Sequence, residues 1–204
     1  MRLKNILYLA SKSPSRKNLL QKAGIPFEIL EQNADETQCD WNQELQAVVE
    51  SIALHKMNHV IMPQGKEGQI AFVLTADTLG IDPTGTIRGK PADMAEAIMM
   101  LKLARGANNQ CGTAFCLDKK IFQHGSWHTD KRIQGYAQAN YFFDVPDDQI
   151  AAYIKRSNAL EGAGAIKIED GAQFVKYING SYTAIIGLPM YEIWQAMQEI
   201  GFLD

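Results

Sequence analysis

The stretch NILYLASKSPSRKNLLQ, residues 5–21, decides how the rest of the chain is read. Ile6, Leu7, Tyr8, Leu9 and Ala10 form an apolar run short enough for a buried strand. Ser11, Lys12 and Ser13 break it. Pro14 suits the first position of a helix, where its missing N–H leaves nothing unsatisfied, and Ser13 suits the N-cap. Leu19, Leu20 and Ala23 supply an apolar stripe, and Gly24 fits the position just past the helix end. The stretch reads strand, polar loop, helix. A helix start carries free N–H groups and partial positive charge, and Lys12, Arg16 and Lys17 add cations there. A phosphate-bearing ligand is one reading; an ordinary capped helix with surface charges is the other.

The sequence of 204 residues suits one large domain or two small lobes. A net charge of −3 argues against a broad DNA- or RNA-binding surface, whereas a small anion needs only a local basic cluster. Cys39, Cys111 and Cys116 are odd in number and contain no CxxC pair, so they read as buried or incidental thiols in a reducing compartment. The N-terminal apolar run is shorter than the roughly seven to fifteen residues of a signal-peptide core. No run approaches membrane-spanning length. The expectation is a cytoplasmic protein.

Further along, residues 26–30 look like a second strand and residues 31–41, EQNADETQCDW, like an acidic loop. Leu45, Val48, Val49, Ile52, Ala53, Met57 and Val60 recur at helical spacing, with Lys56 on or beside their stripe. IAFVLTA, residues 70–76, is a dense apolar run that predicts a central strand ending in Asp77-Thr78. A carboxylate at the carboxyl end of such a strand stands where α/β folds place their chemistry. Asp82 to Gly85 reads as a turn, and Arg88-Gly89-Lys90-Pro91 lacks the spacing of a Walker A loop. A helix is expected over 92–104, a strand over 110–117, strand-like sequence over 119–143 and a helix from Pro146 to about Lys155. Residues 161–165 form a small-residue loop. Residues 173–178, the Asn179-Gly180 turn and residues 182–186 predict a β-hairpin, followed by a last helix. Alternating strands and helices give an α/β fold, and the hairpins make its sheet mixed.

Two histidine pairs, His55/His59 and His124/His128, lack both the glutamate of HExxH and a third ligand at suitable spacing. No G-x-S-x-G elbow is present. The richer constellation joins hard oxygen donors, Asp35, Glu36 and Asp77, to the cations Arg16, Lys56 and Lys90. The first set suits Mg²⁺ or Mn²⁺ and the second a polyphosphate, and phosphoanhydride hydrolysis needs both.

Taken together these segments resemble the Maf (septum-formation inhibitor) family of nucleoside triphosphate pyrophosphatases. LASKSPSRKNLLQKAGIPFEIL at 9–30 looks like its opening block, ADE at 34–36 its acidic motif, TADT at 75–78 with RGKP at 88–91 its core, and AGAIKIEDGAQFVKYINGSYTAIIGLP at 163–189 its closing block. The resemblance implies a single domain over residues 1–204, with a two-lobed, inosine-triphosphatase-like α/β fold: a long mixed sheet flanked by helices, a cleft between the lobes, and often a homodimer. It implies metal-dependent hydrolysis of a nucleoside triphosphate to the monophosphate and pyrophosphate, with Mg²⁺ or Mn²⁺ as cofactor. By position, Asp77 is the catalytic proton acceptor and a metal ligand, Glu36 helps hold the metal, and Ser13, Arg16, Lys56 and Lys90 meet phosphates. Ser15, Thr78 and Glu169 fall where the family tunes base choice.

Three positions depart from the family pattern: Ser15 replaces an arginine, Glu169 a glutamine and Asn109 a histidine. A glutamine amide donates and accepts, matching uracil or thymine, whereas a carboxylate only accepts and suits the N1–H and N2–H₂ edge of guanine. Lys167-Ile168-Glu169 is similar to the 7-methyl-GTP-cleaving branch, while Ala76-Asp77-Thr78 looks like the dTTP/UTP branch. The sequence therefore leans toward a guanine or methylated base. The alternatives are a nucleotide-binding regulator of the same fold with weakened catalysis, linked to cell-division control, and phosphatase or kinase chemistry at the terminal phosphate.

Overall fold

The computed structural model describes residues 5–203. The opening stretch folds as its pattern requires: β1 (Leu7–Leu9), then α1 (Pro14–Lys22) capped by Ser13, whose hydroxyl accepts from the Arg16 amide. Gly24 follows the helix at φ +68°, a conformation open to glycine without a Cβ penalty. Next come β2 (Phe27–Ile29), α2 (Leu45–Asn58), β3 (Ile70–Ile81), β4 (Ile87–Arg88) and α3 (Met94–Ala104). The chain continues with β5 (Ala107–Gln123), β6 (Ser126–Phe143), α4 (Ile150–Ser157), β7 (Val175–Gly180), α5 (Tyr182–Ile186) and α6 (Met190–Glu199).

The strands form a seven-stranded mixed sheet in the order β2-β1-β3-β5-β6-β7, with β4 paired to β3. β1 runs parallel to β2 and β3; β4 is antiparallel to β3, and β7 to β6. The fold is α/β, as the alternation of elements predicts.

The chain divides into two compact units whose boundaries fall inside β3, β5 and β6. The first holds the chain up to Asp77, Ala114–Tyr136 and the chain from Leu188; the second holds Thr78–Thr113 and Ala137–Gly187. In the first unit, Leu7, Leu9, Phe72, Leu74, Phe115 and Leu117 join Leu20 of α1 and Ile193 and Met197 of α6 in one apolar cluster. The residues between them, Val73 and Cys116, pack with Met57 of α2 instead. Strand alternation thus sorts β3 into two faces, and Val73, Thr75 and Asp77 share the α2 face. The second unit has its own core, in which Leu101, Ala139, Tyr141, Phe143, Tyr153 and Phe174 are buried.

Three expectations change. The long apolar strand does not end at Asp77-Thr78 but runs on to Ile81, so Asp77 lies within it. Sequence 107–143 resolves into two long strands joined at His124 and Gly125, both at positive φ (+52° and +81°), the geometry of a two-residue hairpin turn. The hairpin expected over 173–186 does not form. Asn179 lies within β7 opposite Asn140, and residues 182–186 are helical. Ser181 caps that helix by accepting from the Ala184 amide at 3.3 Å. A Cβ on Gly180 would come within 2.4 Å of the Gln138 carbonyl oxygen, so this glycine serves close strand pairing and not a turn.

Candidate active site

The acidic loop is held against the end of α2 by backbone bonds. Ile61 N–H donates to the Glu31 carbonyl at 2.9 Å and Asn33 N–H to the His59 carbonyl at 3.2 Å. This fixes which carboxylate reaches α2. Asp35 is spent on its own turn, accepting from the Thr37 amide at 3.1 Å and the Thr37 hydroxyl at 2.7 Å. Glu36 instead places Oε1 2.8 Å from Lys56 Nζ. The same ammonium lies 2.6 Å from Asp77 Oδ1. Thr75, two residues before Asp77 on the same face, donates its hydroxyl to the Ala53 carbonyl at 2.7 Å. Ala53 precedes Lys56 by one helical turn, so this bond ties strand to helix where the pair must meet.

Lys56 and Asp77 are nearly sealed, with side chains 9% and 8% exposed, while Glu36 is 43% exposed. Arg16 is buried beside them. Its Nη1 donates to the Ala76 carbonyl at 2.8 Å and to Ser11 Oγ at 3.2 Å. Burial pulls the Arg16 guanidinium below its ordinary pKa, and the charges of Asp77 and Glu36 oppose that fall. The resulting first-unit cluster pairs two carboxylates with two fixed cations around the centre of β3.

Asp77 Oδ2 is buried without a hydrogen-bond partner, as are His55 Nε2 and Glu192 Oε2. An acceptor sealed from water without a donor is costly, by about 1–3 kcal/mol and more for a charged group. Its partner Oδ1 is held by Lys56. Asp77 therefore presents one fixed oxygen and one uncommitted one, the arrangement of a carboxylate that takes a proton or meets a cation. No group of three or more His, Cys, Asp or Glu residues that could cage a metal exists among the described residues. A Mg²⁺-sized ion needs no such cage: one or two carboxylates with substrate oxygens and waters complete its shell. Glu36 and the uncommitted oxygen of Asp77 fit that requirement.

The sequence profile of the family described as Maf-like protein matches residues 6–200. The chain belongs to the Maf family. It is 31% identical over 197 residues to a dTTP/UTP pyrophosphatase of Bacillus anthracis, covering 96% of this chain and 95% of that protein. It is 32% identical over 206 residues to a dTTP/UTP pyrophosphatase of Hydrogenovibrio crunogenus, covering 98% of each.

Of the residues singled out in this Maf chain, Arg16, Glu36, Lys56 and Asp77 come together in the first unit, where Ser13 caps α1. Ser15, half-buried, lies in the first turn of that helix. Thr78, Lys90 and Glu169 belong to the second unit. Thr78 Oγ1 is 2.9 Å from Thr113 Oγ1, which donates to the Ala184 carbonyl at 2.6 Å. Lys90 is exposed and paired with Glu161 at 2.6 Å. That pairing and the neighbouring Lys167 hold the Glu161 carboxyl below the usual carboxylate range. The Gly89 carbonyl before Lys90 accepts from Gly164 N–H at 2.9 Å, so the small-residue loop makes its close approach to the RGKP segment. Asn109 is buried and donates to the Ala104 and Ala107 carbonyls, closing the end of α3; this departure from the family pattern has become a helix-end bond. His59 Nδ1 contacts the His55 carbonyl at 2.8 Å, and the two rings lie with centroids 4.2 Å apart, tilted by 49°. Ser11 and Thr75 were not legible as site residues, although Thr75's two-residue offset from Asp77 was a usable sign. No helix of the described residues is long and apolar enough to cross a membrane.

Proposed function

We propose that this chain is a nucleoside triphosphate pyrophosphatase that cleaves the α–β phosphoanhydride to a nucleoside monophosphate and pyrophosphate. The observation that carries the reading is Asp77, with Oδ1 held by Lys56 and Oδ2 uncommitted. Asp77 Oδ2 takes the proton of the attacking water, and the bond to the pyrophosphate leaving group breaks as the new P–O bond forms. Lys56 and Arg16 supply fixed positive charge where the phosphates gain negative charge. Ser13, at the helix start, and Lys90 act as further phosphate contacts, which requires Lys90 to exchange Glu161 for substrate. Mg²⁺ or Mn²⁺ on Glu36 and Asp77 would neutralise phosphate charge and acidify its bound water. Full-length relatives named dTTP/UTP pyrophosphatase support the reaction class.

For the base, Glu169 favours guanine or 7-methylguanine, because a carboxylate accepts both donors of the guanine edge. A second reading, dTTP or UTP, is favoured by the relatives' names and by Thr78. Product analysis with 7-methyl-GTP, GTP, UTP and dTTP in Mg²⁺ tests both levels. Pyrophosphate is the expected product; orthophosphate or a diphosphate would reject the reaction, and strong preference for UTP or dTTP would reject the guanine reading. Nucleotide binding without turnover across the panel would make the chain a regulator.

A further inference from the structure

Glu169 sits in a turn whose backbone is gripped by α4. Tyr153 is fully buried, its ring set against Phe143 and Phe174 with centroids 5.6 and 5.8 Å away. Its hydroxyl does two things at one residue: it accepts from Lys167 N–H at 2.7 Å and donates to the Lys167 carbonyl at 3.1 Å. One turn along α4, Arg156 Nη2 donates to the Asp170 carbonyl at 3.2 Å. The turn between these anchors closes on itself, with Asp170 N–H on the Lys167 carbonyl and Gly171 N–H on the Ile168 carbonyl. Its exit passes so close to the tyrosine that a Cβ on Gly171 would lie 2.7 Å from Tyr153 Cε2. Burial, together with the charges of Glu169 and Asp170, pushes the Tyr153 hydroxyl up to about 12, so it stays protonated and able to donate at neutral pH.

Two hydrogen bonds from Tyr153 to the backbone of one residue exceed what a core tyrosine needs for satisfaction, since one partner suffices for a buried hydroxyl, and Arg156 adds a third bond at the far end of the turn. Glu169 is the half-buried residue held between these anchors. We propose that Tyr153, supported by Arg156, is a positioning residue for base choice: it fixes the Lys167–Asp170 turn and thereby where the Glu169 carboxylate stands. The inference rests on the reading that Glu169 faces the base.

The test uses the full chain and the variants Tyr153→Phe, Arg156→Met, Glu169→Gln and Tyr153→Phe/Glu169→Gln. The readout is the ratio of kcat/KM for 7-methyl-GTP or GTP to that for UTP, with thermal melts alongside. Tyr153→Phe lowers this discrimination by about five- to tenfold, as expected when hydrogen bonds to a polar turn are lost. Arg156→Met lowers it by about twofold, since an exposed contact holds less firmly. The double variant matches Glu169→Gln, because a residue that works through Glu169 has nothing left to position. An unchanged ratio in folded Tyr153→Phe, with a changed one in Glu169→Gln, overturns the clamp and leaves the base reading intact. Additive shifts in the double variant also overturn it. An unchanged ratio in Glu169→Gln removes the base reading and the clamp with it. Should Tyr153→Phe fail to fold, Arg156→Met, whose side chain lies at the surface, decides by the same ratio.

Discussion

Asp77 on β3 and Asp118 on β5 occupy neighbouring strands of the first unit, and each carboxylate is paired with cations, yet their surroundings differ in one respect. Asp118 is fully buried and both its oxygens are filled. Arg132 binds it through Nε at 2.6 Å and Nη2 at 2.8 Å, Lys120 Nζ lies at 2.8 Å, and Thr129 Oγ1 at 3.2 Å. Asp77 has Lys56 on one oxygen and no hydrogen-bond partner on the other. A buried ion cluster with every valence met holds strands in register; one left incomplete stores an unmet demand that a substrate or water can fill. On the proposed function, the difference separates a structural carboxylate from the one proposed to take the proton.

The sharpest way to break that distinction is Asp77→Asn. The amide keeps the shape but does not take up a proton at neutral pH, so pyrophosphate release should fall by about 10²- to 10⁴-fold. Lys56 retains Glu36 at 2.8 Å, so the urea midpoint should move little. Activity within a factor of three of wild type would show that Asp77 is not the proton acceptor.

Asp118→Asn should behave in the opposite way. It strands Arg132 and Lys120, whose side chains are 30% and 12% exposed, so the loss of stability is about 2–4 kcal/mol, below the full value for a sealed pair. Turnover of the folded fraction should not change. Burial alone would raise the Asp118 carboxyl; the hydrogen bonds from Arg132 and Lys120 outweigh it and hold it below the usual range. With the folded pKa depressed, the stabilisation is fully present above the unfolded value of about 4 and is lost as pH falls through the folded value. Urea melts between neutral pH and about pH 3 should therefore be less pH-dependent in Asp118→Asn than in wild type. A parallel pair of curves would mean that folding does not shift the Asp118 carboxyl, so that the bonds from Arg132 and Lys120 do no more than offset its burial. The neighbouring Cys116 thiol, pushed up to about 12 by burial and by Asp118, belongs to the same structural cluster and is poorly disposed to act as a nucleophile.

How much of this could be read from sequence follows the range of each signal. Local signals carried furthest: the Ser13 cap, Pro14, Gly24 and the stripe of α2 are decided by neighbours within a few positions. The dense apolar run 70–76 marks β3, but the strand continues through Asp77 to Ile81: an isolated carboxylate disfavours a strand interior, and Lys56 removes that objection only after folding. The Glu36–Lys56 contact depends on backbone bonds between 31–33 and 59–61, which no periodicity reveals. Residues 182–186 are too few for β-branched content to outweigh a Ser181 cap. Asp118 and Tyr153 gave no sign at all: one reads as an outward strand residue and the other as an apolar helix position.

The smallest test, Thr129→Val, asks whether the filled cluster tolerates the loss of its weakest member. Its hydroxyl is 3.2 Å from Asp118 Oδ2 and 3.1 Å from Lys120 Nζ, on an exposed residue. The remaining bonds from Arg132 and Lys120 leave neither carboxylate oxygen unpaired, so the loss should be about 0.5–1 kcal/mol in urea melts, the net worth of one ordinary hydrogen bond. Pyrophosphate release should stay at the wild-type rate. A substantial fall in turnover from so slight a structural change would mean that this cluster communicates with Asp77 through α2, where Arg132 Nη1 approaches Asn58 Oδ1 at 3.4 Å, two residues beyond Lys56. The two carboxylates would then be parts of one device, and the contrast between a satisfied and an unsatisfied cluster would no longer separate structure from chemistry.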